Sequence, residues 1–288
     1  MNRLVTYASF IRFTHSVFAL PFALTGALLA LHRGGESVPA TIGWRVWWIV
    51  VAMVTARSAA MGFNRLVDRR FDALNPRTAS RELPRGAMTR NEAVVFVVVA
   101  SGVFVAAAWM LGPLCFILSP LALAIIFWYS LAKRVTSYTQ FFLGLAMAVA
   151  PVGGWLAAGG RGGWEPWLLA GAIGAWVGGF DVLYACQDLE FDRSHGLRSI
   201  PVRFGIVRAL LISRAMHVVT VICLGVLGAV ADLGWVYLAG VVGVAVLLAW
   251  EQSLVRADDL SQVKRAFDLN GYVGILFLLT TAMAIWVA

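Results

Sequence analysis

The sequence predicts an all-α integral membrane protein, and three observations support this fold class. Of the 288 residues, 60% are hydrophobic and only 13% are charged, which is too little charge to cover the surface of a water-soluble protein of this size. Several stretches of about twenty residues carry almost no charge, and a bilayer-spanning helix needs that length. The third observation is the uneven distribution of the basic residues between the predicted loops.

We predict nine transmembrane helices that form a single polytopic membrane domain over residues 1–288. The first span follows two arginines, so a cleaved signal peptide is the alternative. Because further spans follow it and no water-soluble domain does, we expect the first span to be retained. The predicted spans are 15–32, 44–63, 92–111, 114–132, 138–158, 165–187, 208–231, 233–251 and 267–287.

The basic residues are distributed asymmetrically about these spans. Most of the 23 Lys and Arg fall on one side, whereas Arg33, Arg45 and Arg161 fall on the other. This bias predicts a multi-pass protein of the cell (inner) membrane with its amino terminus and large polar loops in the cytoplasm. A net charge of +8 could also suggest nucleic acid, but its confinement to one membrane face argues for the lipid bilayer as the partner. The three cysteines match no metal spacing.

The carboxylates concentrate in two of the predicted cytoplasmic regions. In each region polar side chains recur at intervals of four residues, a spacing that aligns them along one face of a helix. Like charges stacked in this way repel, so the arrangement costs stability unless a cation compensates for it. The first column is Asn64, Asp68 and Asp72, and the second is Asp188 and Asp192, with Asp181 two turns deeper on roughly the same side.

A divalent cation with oxygen ligands would compensate for two such columns. Magnesium takes one or two carboxylates, keeps some water and completes its shell with phosphate oxygens of a substrate, while arginine and lysine neutralise the remaining phosphate charge. Asp181 and Tyr184 lie within a predicted span, so the cavity should extend into the bilayer and accept an apolar tail. These features predict Mg²⁺ as the cofactor and a polyprenyl diphosphate as a substrate.

The two acidic regions are also followed by similar stretches of chain. Basic residues come first, and then proline and glycine precede the next span. This order predicts a 4+4+1 internal repeat, in which spans 1–4 and 5–8 each bring one acidic column to a shared central cavity. The alternative is that any cytoplasmic helix end collects Asp and Arg, although that does not explain one spacing at two equivalent places.

The end of the fourth span adds three candidate binding residues on the same side of the membrane. Lys133 and Arg134 could donate to the diphosphate or to a carboxylate on an acceptor, or they could serve as positive-inside anchors. Tyr129, one turn earlier, could hydrogen-bond the head group or belong to an aromatic belt.

Taken together, these segments resemble the UbiA superfamily of membrane prenyltransferases. The segment Ile11–Phe22 and the Tyr184–Asp188 block are similar to its 4-hydroxybenzoate polyprenyltransferase-like branch. The wider resemblance rests on Asn64-Arg65-x-x-Asp68-x-x-x-Asp72, Tyr129-x-x-x-Lys133-Arg134, and Asp181-x-x-Tyr184-Ala185-x-x-Asp188-x-x-x-Asp192 with the following Gly196-x-x-Ser199-x-Pro201.

The resemblance implies a UbiA-like fold of nine helices around a central cavity that opens to lipid. It also implies Mg²⁺-dependent transfer of a polyprenyl group to an aromatic carboxylic acid such as 4-hydroxybenzoate, in ubiquinone or menaquinone biosynthesis. The alternative acceptor is 1,4-dihydroxy-6-naphthoate, in the futalosine route to menaquinone. Haem O and chlorophyll synthases share the fold, but no feature of the sequence favours their macrocyclic acceptors.

The resemblance further assigns roles to individual residues. Asp181 would position or deprotonate the acceptor, and Lys133 and Arg134 would bind anionic groups. Arg65 and Arg198 match the family pattern less strictly, and His15 could contact the substrate or be an interface histidine. The implied metal–diphosphate ligands are Asn64, Asp68, Asp72, Asp188 and Asp192, and Tyr184 is a candidate residue for binding the diphosphate or the acceptor.

Two other classes of protein are compatible with part of the pattern. A transporter would also contain repeats and intramembrane acids, but carriers place coupling residues near the bilayer midplane, whereas these acids cluster at the cytoplasmic face. CDP-alcohol phosphotransferases also use spaced aspartates, but their Asp-Gly and Ala-Arg pairs do not occur in this arrangement. Prenyl chain length and oligomeric state stay open, because pairs such as Gly174 and Gly178 predict close packing within a bundle or a dimer alike.

Overall fold

The computed structural model describes residues 3–11, 19–34 and 42–287, and over these ranges it contains helices joined by turns, without strands. This architecture confirms the predicted all-α class. The helices are α1 (Arg3–Phe10), α2 (Leu20–Gly34), α3 (Ile42–Leu74), α4 (Arg90–Leu111), α5 (Pro113–Val135), α6 (Thr139–Ala157), α7 (Glu165–Ala185), α8 (Leu189–Ser194), α9 (Ile200–Val230), α10 (Gly234–Leu254) and α11 (Val263–Val287).

The long helices correspond one by one to the nine predicted spans. Within the described ranges, eight helical segments are long and apolar enough to cross a membrane, and they contain α3 to α7 and α9 to α11. The remaining predicted span, 15–32, corresponds to α2, which has 15 described residues. The beginning of that span, including His15, lies outside the described residues.

α3 is longer than the predicted second span, 44–63. It contains 33 residues and is therefore about 50 Å long at 1.5 Å per residue, whereas the hydrocarbon core of a bilayer is about 30 Å thick. Its carboxyl-terminal part extends past the predicted end and carries Asn64, Asp68 and Asp72. The first acidic column thus lies on the extension of a transmembrane helix, as the spacing predicts.

The second acidic region is not on one continuous α-helix. α7 ends at Ala185, a 3₁₀ turn follows over Cys186–Asp188, and α8 carries Asp192. A 3₁₀ turn winds more tightly than an α-helix and is common where an α-helix ends. The regular α-helix that the spacing predicts for this region is interrupted by the 3₁₀ turn, and Asp181, Asp188 and Asp192 nevertheless all line the same cavity.

The core depends on direct backbone contact between α2, α6 and α7. A Cβ atom at Gly154 of α6 would lie 1.8 Å from the carbonyl oxygen of Ala23 in α2. A Cβ atom at Gly144 of α6 would lie 2.2 Å from the carbonyl oxygen of Gly174 in α7. Gly178 faces Met216 of α9. Gly174 and Gly178 therefore serve close packing inside the bundle, as small residues commonly do in membranes.

Replacing Gly154 with alanine is expected to destabilise the protein. The new methyl group overlaps the α2 backbone, which cannot move aside as a flexible side chain could, so we expect the upper part of the roughly 1–3 kcal/mol range for overpacking. That cost exceeds the roughly 1 kcal/mol that alanine gains in helix propensity. Thermal unfolding of the purified protein in detergent would measure the change. Gly153→Ala is the matched control, because a Cβ atom there meets nothing within 4 Å. Equal melting temperatures for the two variants would contradict the proposed packing.

Candidate functional site

Two adjoining cavities lie between the helices. The charged cavity has a volume of about 320 Å³ and is formed by the polar ends of α3, α5 and α7 with their following loops. The apolar cavity has a volume of about 1020 Å³ and is lined largely by hydrophobic side chains of α3, α5, α6 and α7. Arg57, Tyr129, Leu143 and Met147 line both cavities. A ligand with a charged head and a hydrocarbon tail could therefore occupy both.

The charged cavity brings together nearly all the site residues that the sequence predicts. Ten of the twelve line it: Asn64, Asp68, Asp72, Tyr129, Lys133, Asp181, Tyr184, Asp188, Asp192 and Arg198. The other two are outside its lining. Arg65 is buried within α3, and Arg134 reaches Asp68 from behind the cavity wall. The two acidic regions thus face a common space, as the prediction of a shared cavity requires.

Asp68 is held by three neighbours. Asn64 Nδ2 donates to Asp68 Oδ2 at 3.3 Å, which places both on one face of α3. Lys133 Nζ lies 2.7 Å from Asp68 Oδ2, and Arg134 Nη2 lies 2.8 Å from Asp68 Oδ1. Lys133 and Arg134 at the end of α5 therefore contact the acidic column directly and do more than anchor the helix at the membrane surface.

Two arginines of the α3–α4 loop pair with the other acids. Arg81 Nη1 lies 2.7 Å from Asp72 Oδ1. Arg77 crosses to the other half of the molecule, where its Nη2 and Nε donate to the two carboxylate oxygens of Asp188 at 2.6 and 3.1 Å. Its Nη1 donates to the hydroxyl of Tyr184 at 3.1 Å. A bidentate guanidinium–carboxylate pair is geometrically specific, so Arg77 ties the two acidic regions together.

Burial and charge act in opposite directions on Arg77. Burial lowers the pKa of its guanidinium, but the Asp188 carboxylate and the Tyr184 phenol raise it, and the net pKa lies above its usual range. Arg77 therefore stays cationic at any physiological pH.

The loop after α8 is fixed to the end of α5. The backbone N–H of Arg198 donates to the Lys133 carbonyl at 2.8 Å, and the Arg198 side chain donates to the carbonyl of Val135. Ser199 then caps α9 by accepting from the backbone N–H of Val202 at 3.4 Å. These bonds hold the rim of the charged cavity in place.

The oxygen donors in this cavity suit magnesium. Among the described residues, no three His, Cys, Asp or Glu side chains form a group that could hold a metal ion alone. Mg²⁺ does not need such a group, because it takes one or two carboxylates and completes its shell with water and phosphate oxygens. Asp72 Oδ2 is buried and has no hydrogen-bond partner, and an unsatisfied carboxylate oxygen of this kind is free to take a cation. The residues therefore fit the metal.

Sequence reasoning missed several residues of the cavity. Arg57 lies on α3 two turns before Asn64, so extending the acidic column towards the amino terminus could have found it. Gln140, whose side-chain oxygen accepts from the backbone N–H of Ile200 at 3.2 Å, and Phe267 of α11 also line the cavity. No sequence spacing points to these last two.

Comparison with known proteins identifies close similarities. The model of the UbiA prenyltransferase family matches residues 19–285. A 4-hydroxybenzoate octaprenyltransferase of Vibrio campbellii is 32% identical over 254 residues, which cover 86% of this chain and 89% of that protein. The structure of a UbiA homologue from Aeropyrum pernix K1 has 34% identity and a TM-score of 0.83, and the match covers 95% of this chain and 98% of that one.

A more distant structure shares the fold. It is a UbiA homologue from Archaeoglobus fulgidus bound to DMAPP and Mg²⁺, with 19% identity, a TM-score of 0.74, and coverage of 98% of this chain and 100% of that one.

Proposed function

The chain belongs to the UbiA prenyltransferase family and is a membrane prenyltransferase, and we propose that it transfers a polyprenyl group from a polyprenyl diphosphate to 4-hydroxybenzoate in ubiquinone synthesis. The main support is the joining of the two cavities at Arg57 and Tyr129. A diphosphate in the charged cavity would place its hydrocarbon chain in the apolar one. The relatives named 4-hydroxybenzoate octaprenyltransferase support both the acceptor and a long prenyl chain.

The charged cavity would bind the diphosphate, which is the leaving group of the reaction. Asn64, Asp68, Asp72, Asp188 and Asp192 would hold Mg²⁺, which supplies positive charge to the departing diphosphate. Lys133 and Arg77 form ion pairs with aspartates of the same cavity and would donate hydrogen bonds to the phosphate oxygens of the substrate. Stabilising the charge that develops on a leaving group is often the largest catalytic contribution. Loss of diphosphate leaves an allylic cation or a loose ion pair.

The acceptor then reacts at the boundary of the two cavities. Arg57, a cation that lines both of them, would bind the carboxylate of the aromatic acid. The electron-rich ring carbon beside the phenol would attack the allylic cation, and loss of the proton from that carbon to a base would restore the aromatic ring. Asp181 would position the phenol or accept its proton. The hydrophobic side chains of the apolar cavity would exclude water from the cation. We propose Tyr129, Tyr184 and Arg198 as further binding residues. We propose that Arg65 and Arg134, which do not line the charged cavity, hold the residues that do.

We also propose the orientation of the enzyme. The distribution of the basic residues supports a cytoplasmic position for the charged cavity at the inner membrane, where soluble acceptors and polyprenyl diphosphates would be accessible. The chain would form a single polytopic domain.

The direct test is transfer of a labelled polyprenyl group in isolated membranes. Membranes that contain the protein, Mg²⁺ and labelled octaprenyl diphosphate are expected to convert 4-hydroxybenzoate into a product heavier by one octaprenyl group, as mass spectrometry would show. Control membranes lack the protein. A preference for 1,4-dihydroxy-6-naphthoate in the same assay would assign the enzyme to menaquinone synthesis by the futalosine route. Absence of transfer to either acid would refute the proposal.

A further inference from the structure

An aromatic wall closes one side of the charged cavity, and α11 supplies part of it. Phe180 and Tyr184 of α7 and Phe267 of α11 all line this cavity. The rings of Phe180 and Phe267 lie edge to face, with centroids 5.5 Å apart and planes at 88°. The rings of Tyr184 and Phe267 have centroids 5.0 Å apart. Phe267 lines the charged cavity but not the apolar one.

A buried polar brace lies directly behind this wall. Asn270, one turn beyond Phe267 in α11, is fully buried. Its Oδ1 accepts from Trp176 Nε1 of α7 at 2.6 Å, and its Nδ2 donates to Glu251 Oε1 of α10 at 3.1 Å. Trp176 lies one turn before Phe180, and the two rings contact each other with centroids 5.3 Å apart. The brace therefore links three helices at the level of the wall.

The brace has a directional effect that apolar packing lacks. Lipid is as apolar as hydrophobic side chains, so hydrophobic burial alone gives little preference for one rotation or depth of a transmembrane helix. A hydrogen-bonded chain through Trp176, Asn270 and Glu251 fixes both the rotation and the depth of α11. Polar groups within the membrane are costly and commonly mark functional positions. Here the hydrogen-bonded chain lies one turn from Phe267, whose ring packs against Phe180 and Tyr184.

We propose that Phe267 is a specificity-determining residue for the aromatic acceptor, and that Trp176, Asn270 and Glu251 are its positioning residues. The acceptor ring packs against the face formed by Phe180, Tyr184 and Phe267, since offset-stacked and edge-to-face arrangements are favourable for aromatic rings. The prenyl chain does not use this wall, because it occupies the apolar cavity. The inference rests on the proposed transfer to an aromatic acid.

Phe267→Leu is the decisive variant. It is expected to raise the KM for the aromatic acid about tenfold, the effect of losing roughly 1.4 kcal/mol of ring contact, and to leave the KM for polyprenyl diphosphate unchanged. Phe267→Tyr keeps the ring and should restore the wild-type KM. Tyr272→Leu is the matched control, because Tyr272 is an aromatic residue of the same helix that is 65% exposed and does not line the cavity.

The brace is tested by a second set of variants. Asn270→Ala should raise the KM for the acid, as Phe267→Leu does. Glu251→Gln keeps an oxygen acceptor for Asn270 Nδ2, so its KM for the acid should stay close to the wild-type value. Thr281→Val is the control for a buried polar loss, because its hydroxyl bonds within α11, to the carbonyl of Phe277 at 2.7 Å. Thermal unfolding would verify that each variant is folded at the assay temperature.

The outcomes separate this inference from the proposed function. If Phe267→Leu leaves the KM for the acid unchanged, or raises the KM values of both substrates equally, the role of Phe267 is refuted while aromatic transfer stands. If the wild-type protein prenylates no aromatic acid, the proposed function itself fails. Should Asn270→Ala not fold, the comparison of Phe267→Leu with Phe267→Tyr still decides the central claim.

Discussion

Replacing Asp68 with asparagine is expected to lower kcat about a hundredfold to a thousandfold, the loss seen when one preorganised charge-stabilising group is removed. The Asp68 carboxylate orients both Lys133 and Arg134 and is a proposed metal ligand. The amide keeps the shape of the side chain but removes its charge, so it affects both roles. Asp188→Asn should have an effect of similar size, because Asp188 holds Arg77. The measurement is initial rates in membranes with saturating substrates.

This result needs a folding control and a charge control. Asp68 lies in contact with cations that are partly exposed, so loss of its charge should cost less stability than the roughly 3–5 kcal/mol typical of a broken buried pair, and the variant should still fold. Asp258→Asn removes an exposed acid from the α10–α11 loop and should keep full activity. Undiminished turnover by Asp68→Asn would show that Asp68 has no catalytic role.

Removing Mg²⁺ with a chelator is expected to reduce turnover about a hundredfold or more. A metal ion supplies several kcal/mol of charge stabilisation to a transferring phosphate group, and each 1.36 kcal/mol corresponds to about a tenfold change in rate. Added Mg²⁺ should restore the activity. Ca²⁺ should restore much less, because it prefers more ligands at longer distances. Initial rates against free metal concentration would show the dependence.

The same titration distinguishes a catalytic from a structural metal. The acids are already paired with arginine and lysine, so the metal-free protein should keep its melting temperature while losing its ability to retain labelled polyprenyl diphosphate on a filter. A large drop in melting temperature on chelation would indicate a structural ion. Full activity in excess chelator would exclude a metal requirement.

The sequence predicts the features of this protein that depend on periodicity. The apolar stretches give the long helices of the described ranges, because length and hydropathy are sufficient to define a span. The four-residue spacing of Asn64, Asp68 and Asp72 gives one face of α3, because a helical face depends only on spacing. Both are local properties of the chain.

Features that depend on tertiary contact could not be predicted in this way. Arg77 lies in a loop, and its bond to Asp188 joins residues 111 positions apart. Phe267 lies in the last helix among other apolar residues, and only the packing of α11 against α7 shows that it faces the charged cavity. The end of the regular helix at Ala185 also depends on its surroundings, since no proline or glycine occurs between Asp181 and Asp192.

The pairing of Arg77 with Asp188 and of Arg81 with Asp72 has a consequence for how the two ligands arrive. A free metal ion must compete with guanidinium groups for the carboxylates, and a free diphosphate must compete with carboxylates for the guanidinium groups. When both ligands bind, the metal ion takes the carboxylates and frees the guanidinium groups for the diphosphate. The diphosphate in turn takes the guanidinium groups and frees the carboxylates for the metal ion. Binding of either ligand should therefore strengthen binding of the other by the same factor, and a diphosphate already complexed with its metal would be the preferred form of the substrate.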